Sequence, residues 1–259
     1  MEQLRSFVIT IDPKGPTETV SRLNKEGFDV EIFEGVKGKD LNDSYIKSIV
    51  SPLVYYNLRD NIKYDLSSIS NKSELGCSLS HALLWQKCID LDNPIIIFED
   101  DFISKNDFSY NKLMEYYDEA KKYDVGVLRF GIIVYDNNKN YDYKIISDNL
   151  YHGFSLGNQG YIITPYAAKI LLEKFIPLEI TADRYINLIM YQNKDLVVLN
   201  TSINFFNFLR HPLRTSGVLD LYIPIFELPM LYFILLIVGI ILFLVSLLNI
   251  PRRFVRINL

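Results

Sequence analysis

The chain has 259 residues, a formal net charge of −4 and two cysteines, Cys77 and Cys88. The mild acidity excludes a broad basic face, so we expect no nucleic-acid partner, and two cysteines exclude a disulfide-dense scaffold. The first residues lack a basic, apolar leader, so we predict no signal peptide. Length and composition predict one sizeable domain over residues 1–220 and a separate segment over residues 221–259.

The first predicted elements alternate between strands and helices. Residues 6–11 are predicted to form a strand, residues 17–26 a helix that ends at Gly27, and residues 28–33 a second strand. Because a strand, helix, strand order favours a parallel pair with a right-handed crossover, we predict an α/β fold.

The rest of the chain continues this alternation. In chain order we predict a polar loop (59–72), a helix (74–91), a buried strand (94–98), a helix (108–122), a strand (125–134), a polar excursion (135–150), a strand (160–163), two helices (164–175 and 182–191) and a last strand (196–199). Thr164 is the expected N-cap of its helix, with Pro165 at the first helical position.

The C-terminal segment contains an uncharged run from Leu228 to Ile250. As a helix it would be about 34 Å long, enough to cross a hydrocarbon core of about 30 Å. A buried core helix is the alternative, although such helices are rarely so long without a charge. We predict a single-pass membrane anchor. The positive-inside rule would place the arginines of the tail in the cytosol, but without a leader to export the N-terminal domain we favour a cytosolic domain.

Three consecutive acids, Glu99, Asp100 and Asp101, follow the predicted buried strand at residues 94–98. Ligands of open α/β sheets bind beyond such strand ends. Carboxylates there could hold a divalent cation, which would neutralise the charge of a departing diphosphate. The alternative is a turn in which the acids are solvated or cap the next helix.

The predicted helix at residues 74–91 carries Cys77, His81 and Cys88 along one face. The two cysteines are about 16 Å apart along a helix, too far to share a zinc ion, so we predict both as small core residues. His81, beside Ser80, is either a core histidine or a substrate contact. Trp85 is predicted to serve packing.

Asp183 stands at the predicted start of the helix over residues 182–191. An acid there complements the helix dipole, and this alone would explain it. The sequence contains no glycine-rich dinucleotide or phosphate loop and no serine-nucleophile elbow.

Taken together, these segments resemble glycosyltransferase family 25, which includes lipooligosaccharide and collagen galactosyltransferases. The resemblance rests on motifs that occur in the family's order over about residues 6–200. They are Val8-Ile9-Thr10-Ile11, Phe33-Glu34-Gly35-Val36-Lys37-Gly38, Glu74-Leu75-Gly76-Cys77-Ser78-Leu79-Ser80-His81 with Trp85, Ile95-Ile96-Ile97-Phe98-Glu99-Asp100-Asp101, Gly157-Asn158-Gln159-Gly160-Tyr161-Ile162-Ile163, and Thr181-Ala182-Asp183.

The resemblance implies a GT-A-like (Rossmann-like) mixed sheet with flanking helices, to which the hydrophobic pattern adds one C-terminal transmembrane helix. It also implies an inverting transfer of a hexose, galactose or glucose, from a UDP-sugar to a hydroxyl of a glycan or glycoprotein, assisted by Mn²⁺ or Mg²⁺. The acceptor could be a lipid-linked glycan, as in lipopolysaccharide biosynthesis.

Site residues follow from the resemblance position by position. Glu99, Asp100 and Asp101 would serve the metal, Asp101 would also serve catalysis, and Asp183 would be the general base. Ser80, His81 and Gly160 would line the donor pocket.

The family's arginine-rich turn after the first strand is replaced here by Asp12-Pro13-Lys14-Gly15-Pro16. Lys14, or Arg22, would have to substitute at the donor phosphates. One competing interpretation is a catalytically degenerate, membrane-tethered protein that binds a sugar nucleotide or a partner. Another is a metal-dependent phosphoesterase, which would need more histidine ligands than three scattered ones provide.

Overall fold

The computed structural model describes residues 3–12, 14–60, 68–105, 107–131, 144–155 and 157–206. In these ranges the chain forms a mixed α/β domain with an eight-stranded sheet and flanking helices, as the sequence predicts. No helix within them is long and apolar enough to cross a membrane. The predicted membrane span and the whole segment 221–259 lie outside the described residues.

The strands are β1 Ser6–Thr10, β2 Val30–Glu34, β3 Ile95–Glu99, β4 Val127–Arg129, β5 Lys144–Ile145, β6 Leu150–His152, β7 Gly160–Ile163 and β8 Val198–Thr201. The helices are α1 Thr17–Lys25, α2 Asp43–Ile49, α3 Pro52–Asp60, α4 Lys72–Leu91, α5 Tyr110–Ala120, α6 Pro165–Glu173 and α7 Ala182–Gln192. Short 3-10 turns cover Gly38–Asp40 and Lys121–Tyr123.

The sheet has the strand order β2-β1-β3-β7-β4-β8-β6-β5. β1 lies parallel to both β2 and β3, which confirms the predicted parallel start. β7 then runs antiparallel between β3 and β4, and β8 lies parallel to β4. The carboxyl ends of β1 and β3 therefore lie side by side at one edge of the sheet.

The predicted ends of helices and strands agree best with the structure where a capping residue or a run of buried residues marks them. β7 spans the predicted residues, and the Thr164 hydroxyl accepts from the N–H of Ala167, 3.2 Å away, as expected of an N-cap. Sequence analysis did not predict α2 and α3. It also placed residues 144–145 in a polar excursion, whereas they form β5, paired with β6.

Alternation along the strands gives the sheet two different faces. One face packs aliphatic side chains and Tyr161 against α4, α6 and α7, around a core that includes Leu84 and Trp85. The other face is dominated by aromatic rings, among them Phe98, Phe102 and Phe130. Adjacent residues of one strand thus pack on opposite faces of the sheet, one among aliphatic side chains and the other among aromatic rings.

Helix α4 is fixed at its start by a cap and by a close crossing. The Asn71 side chain accepts from the N–H of Glu74, 2.9 Å away. A Cβ on Gly76 would lie 2.4 Å from the carbonyl oxygen of Val36, and one on Gly38 would lie 1.6 Å from that of Lys72. Only glycines permit this approach, which places the first turns of α4 against the loop after β2.

Candidate functional site

The three predicted acids stand where β3 ends. Glu99 is the last residue of β3 and is half-buried, as is Asp100, whereas Asp101 is exposed. The Asp100 carboxylate accepts a hydrogen bond from the hydroxyl of Thr10, 3.1 Å away at the end of β1. The Thr19 hydroxyl, on α1, donates to the Asp100 carbonyl over 2.9 Å. The acidic turn is therefore tied to both neighbouring elements.

The loop after β1 continues this hydrogen-bonded edge. The Thr10 hydroxyl also accepts from the N–H of Asp12 (3.1 Å), and the Asp12 carboxylate accepts from the N–H of Lys14 (2.8 Å). The loop thus presents Lys14, with an exposed side chain, beyond the hydrogen-bonded tip of β1. Arg22 instead donates to the carbonyl of Phe102, so it holds the chain that follows the acids.

His81 is fully buried on α4 and joins a chain of polar side chains. The Trp85 indole N–H donates to the Tyr161 hydroxyl, and that hydroxyl lies 2.9 Å from Nδ1 of His81. Nε2 of His81 lies 3.3 Å from a carboxylate oxygen of Glu99. Because an ionised carboxylate can only accept, we assign the ring proton of His81 to Nε2, which donates to Glu99. Nδ1 then accepts a hydrogen bond from the Tyr161 hydroxyl.

Cys77 lies one helical turn before His81 and faces the acids. Cys77 is an exposed residue, so the prediction of a core cysteine is wrong here, although it is confirmed for Cys88. The surrounding protein, and then the charges of Glu99, Asp183, Asp101 and Asp100, raise the pKa of Cys77 well above its usual value. We call the space bounded by Cys77, the three acids at the end of β3 and Asp183 the cleft, because all four carboxylates lie near enough to Cys77 to act on its thiol.

Asp183 comes to this cleft from the first turn of α7. One carboxylate oxygen accepts from the N–H of Gly157 (3.0 Å), and the other accepts from the hydroxyl of Thr181 (2.6 Å). Gly157 has φ = +76°, a conformation that glycine adopts without strain. These two bonds fix the orientation of the carboxylate.

A buried arginine supports the same turn of α7, and sequence reasoning missed it. Arg129, at the end of β4, donates to the Asp183 carbonyl (3.0 Å), the Asn187 side chain (2.7 Å) and the Ser155 carbonyl (3.1 Å). Burial lowers the pKa of Arg129 to about 10, in spite of the nearby Asp183 charge. A charged residue inside an apolar strand was the sequence signal that could have identified it.

Two predicted pocket residues have clear packing roles. The Ser80 hydroxyl donates to the Gly76 carbonyl (2.7 Å) and accepts from the N–H of Val36 (2.8 Å), so it joins α4 to the loop after β2. A Cβ on Gly160 would lie 2.5 Å from the ring of Phe130. The missing side chain of Gly160 is therefore explained by the aromatic face of the sheet, and a role for either residue at a donor stays a prediction.

The residues at the end of β3 have the chemistry that a hard divalent cation such as Mn²⁺ or Mg²⁺ needs. Such ions prefer carboxylate oxygens, and Asp100 and Asp101 carry them. Glu99 is directed instead at His81. Within the described ranges, the group of three possible ligands whose atoms lie within 4.8 Å of one another is Cys77, His81 and Glu99, not the three consecutive acids.

Comparison with known families assigns a family to this mixed sheet and its acidic cleft. The family model described as glycosyltransferase family 25 (LPS biosynthesis protein) matches residues 17–186. This covers more than half of the chain, and the chain belongs to glycosyltransferase family 25.

Curated relatives agree with this assignment. A "Glycosyltransferase 25 family member" of Aedes aegypti is 26% identical over 70% of this chain and 29% of its own length. "Procollagen galactosyltransferase 2" of Homo sapiens is 33% identical over 38% of this chain and 16% of its own. "Lipooligosaccharide biosynthesis protein lic2B" of Haemophilus influenzae is 27% identical over 58% and 54%. The chain thus spans less than a third of the two animal proteins and about half of the bacterial one.

Proposed function

We propose that this chain is a hexosyltransferase that moves galactose or glucose from a UDP-sugar to a hydroxyl of a glycan or glycoprotein. The observation that carries the proposal is that hydrogen bonds bring Asp183 and the acids of the β3 end together beside α4. The N–H of Ala182 donates to Ser78 on α4 (3.2 Å). The loop 157–159 links the two acidic groups, because the N–H of Gly157 donates to the Asp183 carboxylate and the Gln159 carbonyl accepts from the N–H of Glu99. Family membership and the galactosyltransferase and lipooligosaccharide names of two relatives support the reaction class. The mixed sheet is compatible with the GT-A-like arrangement that the resemblance implies.

In this proposal Asp100 and Asp101, with Glu99 beside them, would hold the divalent cation. When bound, that cation neutralises the diphosphate charge that develops as the nucleotide departs. The Thr10 hydroxyl orients Asp100 for this task. The exposed Lys14, on the loop beyond β1, is the candidate cationic contact for the phosphates.

Asp183 is the proposed general base. The bonds from Gly157 and Thr181 use only part of the acceptor capacity of its two oxygens, so the carboxylate can still accept the proton of an incoming hydroxyl. The deprotonated oxygen would attack the anomeric carbon from the face opposite the diphosphate. A single displacement of this kind inverts the configuration at that carbon.

We test the reaction with the full chain and a panel of UDP-hexoses, measuring UDP release with Mn²⁺ and with a chelator. The proposal expects metal-dependent turnover of one donor, loss of turnover in Asp101→Asn, and normal turnover in Asp118→Asn. Asp118 is a matched control because it is half-exposed on α5, where it pairs with Lys121. UDP-sugar binding without turnover would favour the degenerate binding protein, and neither binding nor turnover would reject both.

The anchor remains part of the proposal. The uncharged run Leu228–Ile250 would tether a cytosolic catalytic domain to a membrane, close to lipid-linked acceptors. Resistance of the expressed full chain to alkaline carbonate extraction supports the anchor, and its release into the supernatant rejects it.

A further inference from the structure

Three chemically different metal-binding groups meet on the floor of the cleft. The thiol of Cys77, a ring nitrogen of His81 and a carboxylate oxygen of Glu99 lie within 4.8 Å of one another. Cys77 and His81 are one turn apart on α4, so they share a helix face. Glu99 reaches them from the end of β3. Helix and strand both fix their ligands more firmly than a loop would.

The spacing of the closest pair suits a tetrahedral ion. Nε2 of His81 lies 3.3 Å from the Glu99 oxygen. Two ligands bound to zinc at about 2.0–2.1 Å and separated by a tetrahedral angle lie about 3.3–3.4 Å apart. This pair is already at ligand spacing, and the thiol of Cys77 lies within 4.8 Å of both atoms.

A second layer of hydrogen bonds orients the histidine. The hydroxyl of Tyr161 lies 2.9 Å from Nδ1, the ring nitrogen of His81 that faces away from Glu99. The same hydroxyl accepts a hydrogen bond from the indole N–H of Trp85. A metal-binding histidine usually donates the N–H of its other ring nitrogen to an acceptor, and the Tyr161 oxygen is in place to accept such a bond once Nδ1 carries the proton.

The residues around Cys77 also provide negative charge and a route by which an ion can enter from solvent. Asp100, Asp101 and Asp183 act electrostatically on the Cys77 thiol, and an anionic surrounding attracts a cation. Cys77 is exposed, so an ion can enter from solvent. Three protein ligands with an open fourth position are the arrangement of reactive or exchangeable zinc sites, in contrast to closed four-ligand structural sites.

We propose that Cys77, His81 and Glu99 form a binding site for a thiophilic divalent cation, with Zn²⁺ as its best-matched occupant. Thiolate and imidazole ligands select zinc over manganese or magnesium, which prefer oxygen. Coordination releases the thiol proton of Cys77 to solvent. The ring proton of His81 moves from Nε2 to Nδ1 as Nε2 binds the ion. The hydroxyl hydrogen of Tyr161 then turns away from Nδ1, and the Tyr161 oxygen accepts a hydrogen bond from Nδ1–H.

Zinc at this site inhibits the transferase. Glu99 directly precedes Asp100 and Asp101. A zinc ion bound to Glu99 therefore repels the Mn²⁺ or Mg²⁺ held by the two aspartates, and Glu99 is no longer available to that second cation. This consequence rests on the proposed function, whereas zinc binding itself does not. Binding and inhibition are therefore measured separately.

Zinc binding is tested on the metal-free full chain, by competition with a chromophoric chelator and by Co²⁺ absorption spectroscopy. We expect one Zn²⁺ per chain and a Co²⁺ complex with tetrahedral visible bands and a thiolate charge-transfer band. Cys77→Ser should lose that band and bind Zn²⁺ more than about 10-fold more weakly, since losing even an outer partner costs that much. Glu99→Gln should weaken binding to a similar extent.

Cys88→Ala is the matched control, because Cys88 is the buried cysteine on the same helix. It should keep both the affinity and the charge-transfer band, with folding of every variant checked by circular dichroism. Wild-type affinity in Cys77→Ser, a Co²⁺ complex without a thiolate band, or loss of the band in Cys88→Ala would each overturn the site.

Inhibition is then measured as the Zn²⁺ concentration that halves each protein's own manganese-dependent UDP release. We expect this concentration to rise at least 10-fold in Cys77→Ser, in line with the affinity change. Equal sensitivity of wild type and Cys77→Ser would overturn the inhibitory role. If no protein turns over any donor, the proposed function fails, and the spectroscopic result still decides the zinc site.

Discussion

The two faces of the sheet differ in what their side chains do, although the same strands supply both. On the face covered by α4, α6 and α7, Tyr161 and Glu99 belong to a polar chain that begins at Trp85 and ends in the cleft. On the other face, their neighbours Gly160 and Phe98 pack within an aromatic cluster. Adjacent residues of one strand therefore differ in role: Tyr161 and Glu99 belong to the polar chain of the candidate site, whereas Gly160 and Phe98 belong to the aromatic core.

We therefore expect substitutions on the two faces to have different effects on activity and stability. Changes on the polar face should alter chemistry or leave a buried group unpaired, whereas changes on the aromatic face should lower stability without a specific effect on the reaction.

The largest expected effect lies at the cleft, at Asp183. Asp183→Asn keeps the shape of the side chain and removes the basic carboxylate, so we expect turnover to fall by about 100- to 10,000-fold, the usual contribution of a general base. The melting temperature should change little, because an amide oxygen can still accept from Gly157. Steady-state UDP release and thermal denaturation measure the two quantities. Turnover within a few-fold of the wild type would remove Asp183 from the mechanism.

On the aromatic face the corresponding change is Phe98→Ala. The ring of Phe98 is fully buried, with centroids 4.8 Å from Phe102, 5.3 Å from Phe28 and 5.7 Å from Phe130. Its removal should lower the free energy of unfolding by about 3–5 kcal/mol, measured by urea denaturation. Phe98→Leu, which fills most of the space, is the control and should cost less. Equal costs for the two variants would contradict the packing role.

A smaller change separates hydrogen bonding from packing on the polar face. Tyr161→Phe keeps the buried ring but leaves the Trp85 N–H without its acceptor, so we expect a loss of about 1–3 kcal/mol in unfolding free energy. Tyr185→Phe is a matched control, because Tyr185 packs on the same indole and its buried hydroxyl has no hydrogen-bond partner among the described residues. We expect that control to be neutral or stabilising. A larger cost for Tyr185→Phe than for Tyr161→Phe would refute the polar chain.

The smallest effect concerns Glu26, where α1 meets the loop after β3. Burial raises the pKa of Glu26 above 4.5, while the bond from Ser104 and the charge of Arg22 lower it in part. A raised folded pKa means that the folded state holds the proton more tightly, so this stabilisation is complete below the unfolded pKa and is lost as the pH rises through the folded pKa.

We therefore compare the wild type with Glu26→Gln by urea denaturation across this range. The unfolding free energy of the wild type minus that of the variant should decrease as the pH rises from about 4 to about 7. A difference that stays constant or increases with pH would show that Glu26 is not perturbed in this way.

The sequence predicted the elements that have strong local signals. The apolar run before Glu99 and the Thr164-Pro165 start of α6 are read from neighbouring residues alone, and both appear in the structure. Helices α2 and α3 were missed because their few buried positions, such as Ile46 and Val54, give weak periodicity. Their burial depends on contacts that a local pattern does not contain.

The sequence indicated which residues belong to the candidate site, but it did not indicate which of them contact one another. Glu99 was named among metal ligands, yet its pairing with His81 depends on how closely α4 packs against β3. Cys77 was predicted to be a small core residue once a zinc ion shared with Cys88 was excluded, but Cys77 is exposed beside the acids. The bonds from Arg129 to the turn that carries Asp183 join residues 54 positions apart, and such a pairing is visible only in the fold.

We propose that the acids at the end of β3 hold a metal that binds the nucleotide of the donor. This proposal is tested by calorimetric titration of the full chain with UDP, once in Mn²⁺ and once in chelator. We expect UDP to bind in Mn²⁺ and not in chelator, and we expect this binding to be abolished in Asp101→Asn and retained in Asp118→Asn. UDP binding that is independent of metal and undiminished in Asp101→Asn would contradict it.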